Sequence, residues 1–340
     1  MAEASVGLMG LGRIGRNLVR ILYDRDDVRL LAIADPADHA GLEYLLRFDT
    51  ILGRFPAPVS LKDGNLHLAG RQIRMFAAEE PGQVPWGELG VDVVIEATGK
   101  QRSRAELERH FAAGAKRVIL CAPPLEPPDI TVVIGVNDHL LRPEHRIVSN
   151  ASVTAHAAAP ILAILQRAFG IERAFVSAVH AYTSQLRLAD VPAEDMRTGR
   201  AAAENVIPQP SRVAGMLMGL LPELRGKLSG MALNVPVPNG SVVDLVCWHE
   251  RPVTVESVNE AVRAAAGEPA WERILDFEDG PIVSGDIRLS PFSATFDSLA
   301  TMVIGERVSK TLSWYDNGWG YAHRAVDLIK RFAALERRAA

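Results

Sequence analysis

A short apolar run, Ser5-Val6-Gly7-Leu8-Met9, leads into Gly10-Leu11-Gly12-Arg13-Ile14-Gly15, after which Ile14, Leu18, Ile21 and Leu22 recur at helical spacing. Strand, tight turn and helix in that order leave the chain few folds to choose from, because each glycine has a separate job. Gly10 makes the turn, Gly12 lets the backbone approach a pyrophosphate, and Gly15 lets helix and strand pack closely. A second apolar strand, Arg29 to Ala34, ends on Asp35, twenty residues past Gly15. Together these elements form the first βαβ unit of a doubly wound parallel Rossmann sheet. The helix that begins at the turn aims unpaired N–H groups and a partial positive charge at phosphates. Asp35 is placed to accept hydrogen bonds from the adenosine ribose hydroxyls and to repel a 2′-phosphate, so the expected cofactor is NAD rather than NADP.

Further strands are predicted at Val91 to Glu96, Arg117 to Cys121 and Arg146 to Asn150, with a helix from about Ser103 to Ala113 that Gly114 terminates. After residue 151 the pattern changes. Long alternating strands now follow one another at Ala174 to Tyr182, Ser229 to Pro236, Ser241 to His249, Leu299 to Ile304 and Ser309 to Tyr315. Such a run predicts a second, α+β domain with a mostly antiparallel sheet and helices on one face. Asp316-Asn317-Gly318 then turns the chain into an amphipathic helix, Tyr321 to Arg337. The predicted fold class is therefore α/β, with a nucleotide-binding domain over 1–151 completed by 316–340, and a substrate domain over 152–315. A chain of 340 residues is long enough for two such cores.

The net charge of −4 is spread along the chain without a block of like charges, which gives nucleic acid and anionic membranes no footing. The most apolar stretch, Ala157 to Leu165, falls well short of the ~20 residues that span a bilayer. With Cys121 and Cys247 as the two cysteines and no signal-peptide signature at the start, the expected location is a reducing cytoplasm. No Cys, His, Asp or Glu spacing resembles a metal site.

A resemblance covers nearly the whole chain. Gly10 to Arg16 (GLGRIGR), Tyr44 to Phe55 (YLLRFDTILGRF), Pro85 to Lys100 (PWGELGVDVVIEATGK), Thr131 to Asn137, His180-Ala-Tyr-Thr183, Ala201 to Pro208, Pro236 to Asp244 and Ser313 to Gly320 (SWYDNGWG) are all similar to stretches of the phosphorylating glyceraldehyde-3-phosphate dehydrogenases. The resemblance implies that Arg13 and Ile14 line the pyrophosphate turn, that Asn317 bonds the nicotinamide carboxamide, and that the last helix packs back on the nucleotide domain. Val191-Pro192 lies where NAD-using members carry Leu-Pro. The family also implies a homotetramer whose interior holds the segment from about Tyr182 to Val206.

Ser149-Asn150-Ala151-Ser152-Val153-Thr154-Ala155-His156 resembles the family's nucleophile segment, Ser-Asn-Ala-Ser-Cys-Thr-Thr-Asn-Cys, but both cysteine positions are changed, to Val153 and Ala157. Family members add a thiolate to an aldehyde, pass hydride to NAD and release the thioester with phosphate. An isopropyl group cannot do this. Ser152 and Val153 are predicted to open a helix, whose N–H groups normally lower a thiol pKa and stabilise an oxyanion. Two readings stay open here: the donors still bind an anionic or carbonyl oxygen, or Val153 merely fills the hole.

His180 matches the family's general base, although a histidine on an apolar strand is also at home as a core residue. With an intrinsic pKa near ~6.5, imidazole can exchange the proton that accompanies hydride transfer, and alcohol oxidation by that route needs no thiol. His156 replaces a family asparagine three residues past Val153, as a second acid-base group or an inert partner for a carbonyl. Thr183 is retained, while the family's following Asp and Gln become Gln185 and Leu186, its phosphate-binding Arg becomes Asn234, and Ser211-Arg212 replaces Thr-Gly. A guanidinium lost in one place and gained in another predicts an anionic small molecule held differently. Cys121 matches a family serine and leaves a strand rather than opening a helix. The expected function is hydride transfer between NAD and a small, anionic alcohol or aldehyde without a thioester. His180 is the acid-base group, and Ser152, Thr154, Thr183, Ser211 and Arg212 orient the substrate. The alternative is a catalytically silent NAD-binding homologue with a regulatory or structural role.

Overall fold

The computed structural model describes residues 4–339. Its contacts divide into two units, Met1–Ser152 with Ala322–Ala340, and Val153–Tyr321. In the first, the described residues form a nine-stranded sheet. Its strand order is Ile130–Thr131, Ile147–Ser149, Arg117–Leu120, Val93–Glu96, Ala4–Met9, Val28–Ala34, Arg71–Phe76, Asn65–Leu68, Val59–Lys62. Pairing is parallel as far as Arg71–Phe76 and antiparallel through the last two strands. That edge meander was not anticipated from sequence. Its turns, Asp63-Gly64 and Ala69-Gly70, hold both residues at positive φ, the arrangement that matches the twist of a two-residue hairpin.

The chain leaves Ala4–Met9 toward Val28–Ala34 on one flank and later returns as Val93–Glu96 on the other. The strand order therefore reverses at Ala4–Met9, and ligands of such sheets bind at the carboxyl ends of the strands beside that reversal. Continuous burial explains why these strands are unbroken apolar runs. Val6, Leu8, Met9, Ile33, Val94, Ile95, Val118 and Ile119 are all inaccessible to solvent, each such side chain contributing roughly 1.5–3 kcal/mol by leaving water. Helix Arg104–Ala112 is opened by a reciprocal cap between Ser103 and Glu106 and closed by Gly114 at φ +98.

From Ala322 onward the helix Trp319–Ala339 belongs to this unit and buries Ala325, Leu328, Ile329 and Phe332. Lys330 pairs with Asp27 at 3.0 Å, Arg331 with Asp138 at 3.1 Å and Arg117 with Glu336, while the Arg117 guanidinium lies 4.7 Å from the centre of the Phe332 ring.

The described residues of the second unit form a seven-stranded sheet in the order Ile207–Pro210, Leu228–Val235, Ile171–Ala181, Ser241–His249, Val308–Tyr315, Ala294–Ile304, Leu275–Glu278. It is mostly antiparallel, with parallel pairs at Ile171–Ala181 with Leu228–Val235 and at Leu275–Glu278 with Ala294–Ile304. The strand expected from Leu299 begins five residues earlier, at Ala294. A register shift between Asp297 and Met302 breaks the alternation that would have revealed its start. Helix Val153–Phe169 runs buried through the middle of this unit, against Val213–Leu220 and Val255–Ala266.

Candidate active site

The dinucleotide turn has the geometry its glycines require. Gly10 sits at φ +93, and a Cβ there would lie 2.8 Å from the Thr98 backbone nitrogen. At Gly15 a Cβ would be 2.1 Å from the Gly10 carbonyl oxygen, a collision of backbone with backbone that no rotamer relieves. Gly12 differs, since a Cβ there would project into open space. That is the vacancy a closely approaching pyrophosphate needs. Gly12 is also the N-cap of helix Arg13–Leu22 and has no side chain to occupy the amides of the first turn. Arg13 and Ile14, both half-buried, form that turn. The Asp35 carboxylate accepts from the Leu11 amide at 2.8 Å and the Ala37 amide at 3.0 Å, which holds it at the mouth of the glycine turn. Behind them Arg20 donates to the carbonyls of Leu46 (2.9 Å) and Gly53 (2.8 Å), anchoring the segment that follows. The turn, the helix end and the acid fit NAD, with Gly12 and the first-turn amides toward the pyrophosphate and Asp35 toward the adenosine ribose.

In the second unit, register gathers the chemistry at one end of four adjacent strands. His180 pairs with Asn234, and Ser241 pairs with Tyr315. The Ser241 hydroxyl accepts from the Ala181 amide at 2.9 Å, donates to Asn317 Oδ1 at 2.9 Å and lies 3.5 Å from His180 Nδ1. Asn317 Nδ2 is 3.1 Å from the same Nδ1. That amide is a donor, while the Ala181 carbonyl oxygen, an acceptor, lies 3.4 Å from the same nitrogen, so Nδ1 finds a partner in either ring tautomer. The Tyr315 ring meets the His180 ring edge-on with centroids 5.8 Å apart, and its hydroxyl is 3.2 Å from Thr154 Oγ1. Burial pushes the Tyr315 phenol up to about 12, against the opposing pull of hydrogen bonds from Thr154 and Ser241, so it stays protonated at neutral pH.

The base of this cluster is rigid. Asp316 accepts from the amides of Gly318, Trp319 and Leu289 and from Asn239 Nδ2, while Asn239 Oδ1 receives the amides of Asn317 and Gly240.

Thr154, His180 and Asn317 thus fall into one network. Ser152 and Val153 are half-buried at the start of helix Val153–Phe169, so Val153 does open the helix, while Thr154 turns inward to Tyr315. His156 is buried, its ring edge-on to Tyr321 at 5.7 Å. The remaining candidates sit on turns of their own. Thr183 Oγ1 accepts from the Gln185 amide at 3.4 Å, Ser211 Oγ accepts from the Val213 amide at 3.2 Å, and exposed Arg212 is the N-cap residue of helix Val213–Leu220. Sequence reasoning missed Ser241, Tyr315, Asn239 and Asp316. Their signal was a serine opening the strand Ser241–His249 just after Asn239-Gly240, and Tyr315-Asp316 directly before Asn317.

Cys247 is buried and Cys121 half-buried. Burial, together with the nearby Glu96 carboxylate, pushes its thiol above the ordinary range, and burial does the same to Cys247. Among the described residues no group of three His, Cys, Asp or Glu is placed to hold a metal ion, and no helix is long and apolar enough to cross a membrane.

Residues 4–104 match the family model of the glyceraldehyde 3-phosphate dehydrogenase NAD binding domain, and residues 152–317 match that of the C-terminal domain. Glyceraldehyde-3-phosphate dehydrogenase from Geobacillus stearothermophilus is 45% identical over 330 residues, covering 97% of this chain and 98% of that protein. The Streptomyces coelicolor protein of that name is 45% identical over 325 residues, 95% of this chain and 96% of its own length. Its Mycobacterium avium counterpart is 44% identical over 331 residues, at 95% and 97% coverage. The chain belongs to the glyceraldehyde-3-phosphate dehydrogenase family and is an NAD-binding oxidoreductase of that family.

Proposed function

We propose that this family member has given up thioester chemistry and moves hydride directly between NAD and a small anionic alcohol or carbonyl compound. One observation carries the proposal: the acid-base network around His180 is built in full, and it reaches the helix turn that presents Val153 through Thr154 and Tyr315. In this reading Val153 occupies the nucleophile's position. It has no lone pair to add to a carbonyl.

A bound nicotinamide would supply the hydride acceptor for an alcohol carbon in its oxidised form, or the hydride donor for a carbonyl carbon in its reduced form. His180 takes or gives the hydroxyl proton that travels with it. Ser241 and Asn317 fix the orientation of the imidazole through Nδ1, and Tyr315 limits its rotation by edge contact. Ser152 and the amides of the first helical turn receive the substrate oxygen, with Thr183, Ser211 and Arg212 binding its anionic end. The division of labour follows the two units, cofactor in Met1–Ser152 with the C-terminal helix and substrate in Val153–Tyr321. Assembly as a homotetramer is part of this proposal. It is supported by apolar side chains left exposed on the second sheet at Phe175, Met231, Leu299, Met302 and Ile304, and on the 182–206 segment at Leu188 and Met196.

The test is nicotinamide absorbance against a panel of hydroxy acids, sugar phosphates and aldehydes, with wild type and His180→Asn compared. Turnover that is lost in the variant supports the proposal. NAD binding without any turnover across the panel favours the second reading, a silent homologue, which draws its support from the suppressed thiol of Cys121. Val153→Cys adds a separate check: if it conferred phosphate-dependent oxidation of glyceraldehyde 3-phosphate, the substrate site would be unchanged from the family's and the proposal of a new substrate would fail.

A further inference from the structure

Sheet order sets four chain segments side by side at the carboxyl ends of the first unit's strands. The order Val93–Glu96, Ala4–Met9, Val28–Ala34, Arg71–Phe76 means that the glycine turn and Asp35, which follow the two inner strands, lie between the segments that leave the two outer ones. Those outer segments meet. Lys100 Nζ pairs with Glu79 Oε1 at 3.0 Å, and Gln101 Nε2 donates to the Glu79 carbonyl at 3.4 Å. The bridge between them spans the ends of both inner strands. Each side is tied to what it spans: the Asp35 amide donates to the Phe76 carbonyl at 3.0 Å, and the Ala97–Thr98 backbone fills the space that a Cβ on Gly10 would need.

The 98–101 side of the bridge is fixed by the core. Glu96 is completely buried; it accepts the Thr98 amide at 2.8 Å and the Thr98 hydroxyl at 2.5 Å, and buried His110 sets Nε2 3.4 Å from its other oxygen. Thr98 Oγ1 in turn accepts the amides of Lys100 at 3.0 Å and Gln101 at 3.4 Å. Gln101 is therefore held at its backbone and at one end of its side chain, and it is only 7% exposed. Because the Glu79 carbonyl can only accept, the nitrogen of the Gln101 amide is the atom that faces it, and the oxygen is left over. Among the described residues that Oε1 has no donor, yet it is not sealed from solvent. An unused acceptor on a buried side chain costs free energy until an N–H or O–H group meets it.

We propose that the base of the adenosine whose ribose sits at Asp35 lies under this bridge, and that Gln101 reads it: Oε1 accepts a hydrogen bond from the exocyclic amino group of adenine. Lys100 and Glu79 hold the bridge without choosing between bases. A purine with a keto oxygen in place of that amino group, as in hypoxanthine, sets acceptor against acceptor and is rejected. This rests on the dinucleotide cleft of the first unit and is independent of the hydride-transfer reading of the second.

Isothermal titration of NAD and of nicotinamide hypoxanthine dinucleotide, which differ only at the position of that amino group, tests this with wild type, Gln101→Leu, Lys100→Met and Asp35→Ala. Wild type is expected to bind NAD about tenfold more tightly than the analogue, the worth of one hydrogen bond. Gln101→Leu should bring the two within about twofold, chiefly by weakening NAD. Lys100→Met should keep the ratio, since an exposed ion pair contributes little. Asp35→Ala provides the contrast: it should weaken both ligands and leave their ratio intact, because they share the ribose. Equal affinities in wild type, or a preference that survives Gln101→Leu, would overturn the proposal. Should Gln101→Leu fail to fold, Gln101→Met, of the same length, decides by the same criterion. A wild-type protein that bound neither dinucleotide would overturn the cleft, and the base-reading role with it.

Discussion

The glycine turn of the first unit and the His180 network of the second relate to the family in opposite ways. At the turn, the residues proposed to hold the dinucleotide are all in place: Gly15 has no room for a methyl group, a Cβ on Gly12 would meet open space, and Asp35 is tied to Leu11. At the His180 end the supporting bonds are just as complete, but by resemblance to the family motif the group they would serve is absent at Val153. The contrast suggests that cofactor binding tolerates little change because backbone forms it. A reaction carried by one side chain can be changed by one substitution while its scaffold stays.

The largest effect expected from breaking this contrast is at His180. His180→Asn should lower kcat by ~10²- to 10⁴-fold, the usual worth of a general acid-base group, while the dissociation constant for NAD stays put. Steady-state kinetics with cofactor titration separates the two. Equal losses in both would mean that the histidine serves binding rather than proton transfer.

At the opposite end, Gly15→Ala should weaken NAD and destabilise the fold by about 1–3 kcal/mol, as overpacking does, because the new Cβ meets the Gly10 carbonyl. Denaturant midpoints and cofactor titration report both, and an unperturbed midpoint would show that the turn is looser than its geometry implies. Ser241→Ala probes the scaffold rather than the reacting group. Losing the hydroxyl that joins Ala181, Asn317 and His180 should cost kcat about tenfold, roughly one hydrogen bond, and leave NAD affinity alone.

A smaller effect concerns His249, which lies buried on the far side of the sheet network and bonds the Gly170 carbonyl at 3.0 Å and Ser309 Oγ at 2.7 Å. Burial lowers its pKa below the usual 6.5, with the Gly170 carbonyl acting the other way. The unfolded chain therefore binds this proton more readily than the native one, so stability rises with pH across this interval. It is complete above 6.5 and declines as pH falls from there through the depressed native value. Thermal midpoints between neutral and mildly acidic pH should fall, and fall less steeply in His249→Gln. Finally, Cys121→Ser should change turnover least of all, and Cys121 should react with alkylating reagents far more slowly than an exposed thiol.

Much of the fold could be read from the sequence because it follows from local periodicity. The strand, glycine turn, helix and acid at Asp35 lie within a few dozen residues of one another, and the cap at Ser103 and the stop at Gly114 are single-residue signals. The meander over 59–76 was missed even though Asp63-Gly64 marks its first turn, because its strands are short and lie at the sheet edge, where burial imposes little pattern. The site divides in the same way. His180 and Asn317 were readable from family motifs, but Ser241 and Tyr315 join them only through strand register, which places residues 61 and 135 positions further along the chain beside His180. Glu96 and His110 were equally hidden, since a buried carboxylate and imidazole gain meaning only from what faces them.

The central claim is that this polypeptide carries no covalent intermediate, and intact-protein mass spectrometry tests it most directly. Wild-type protein is mixed with NAD and glyceraldehyde 3-phosphate without phosphate and quenched in acid at short times. The account predicts an unmodified mass at every time point. An added acyl group, at Cys121 or on any other side chain, would contradict it.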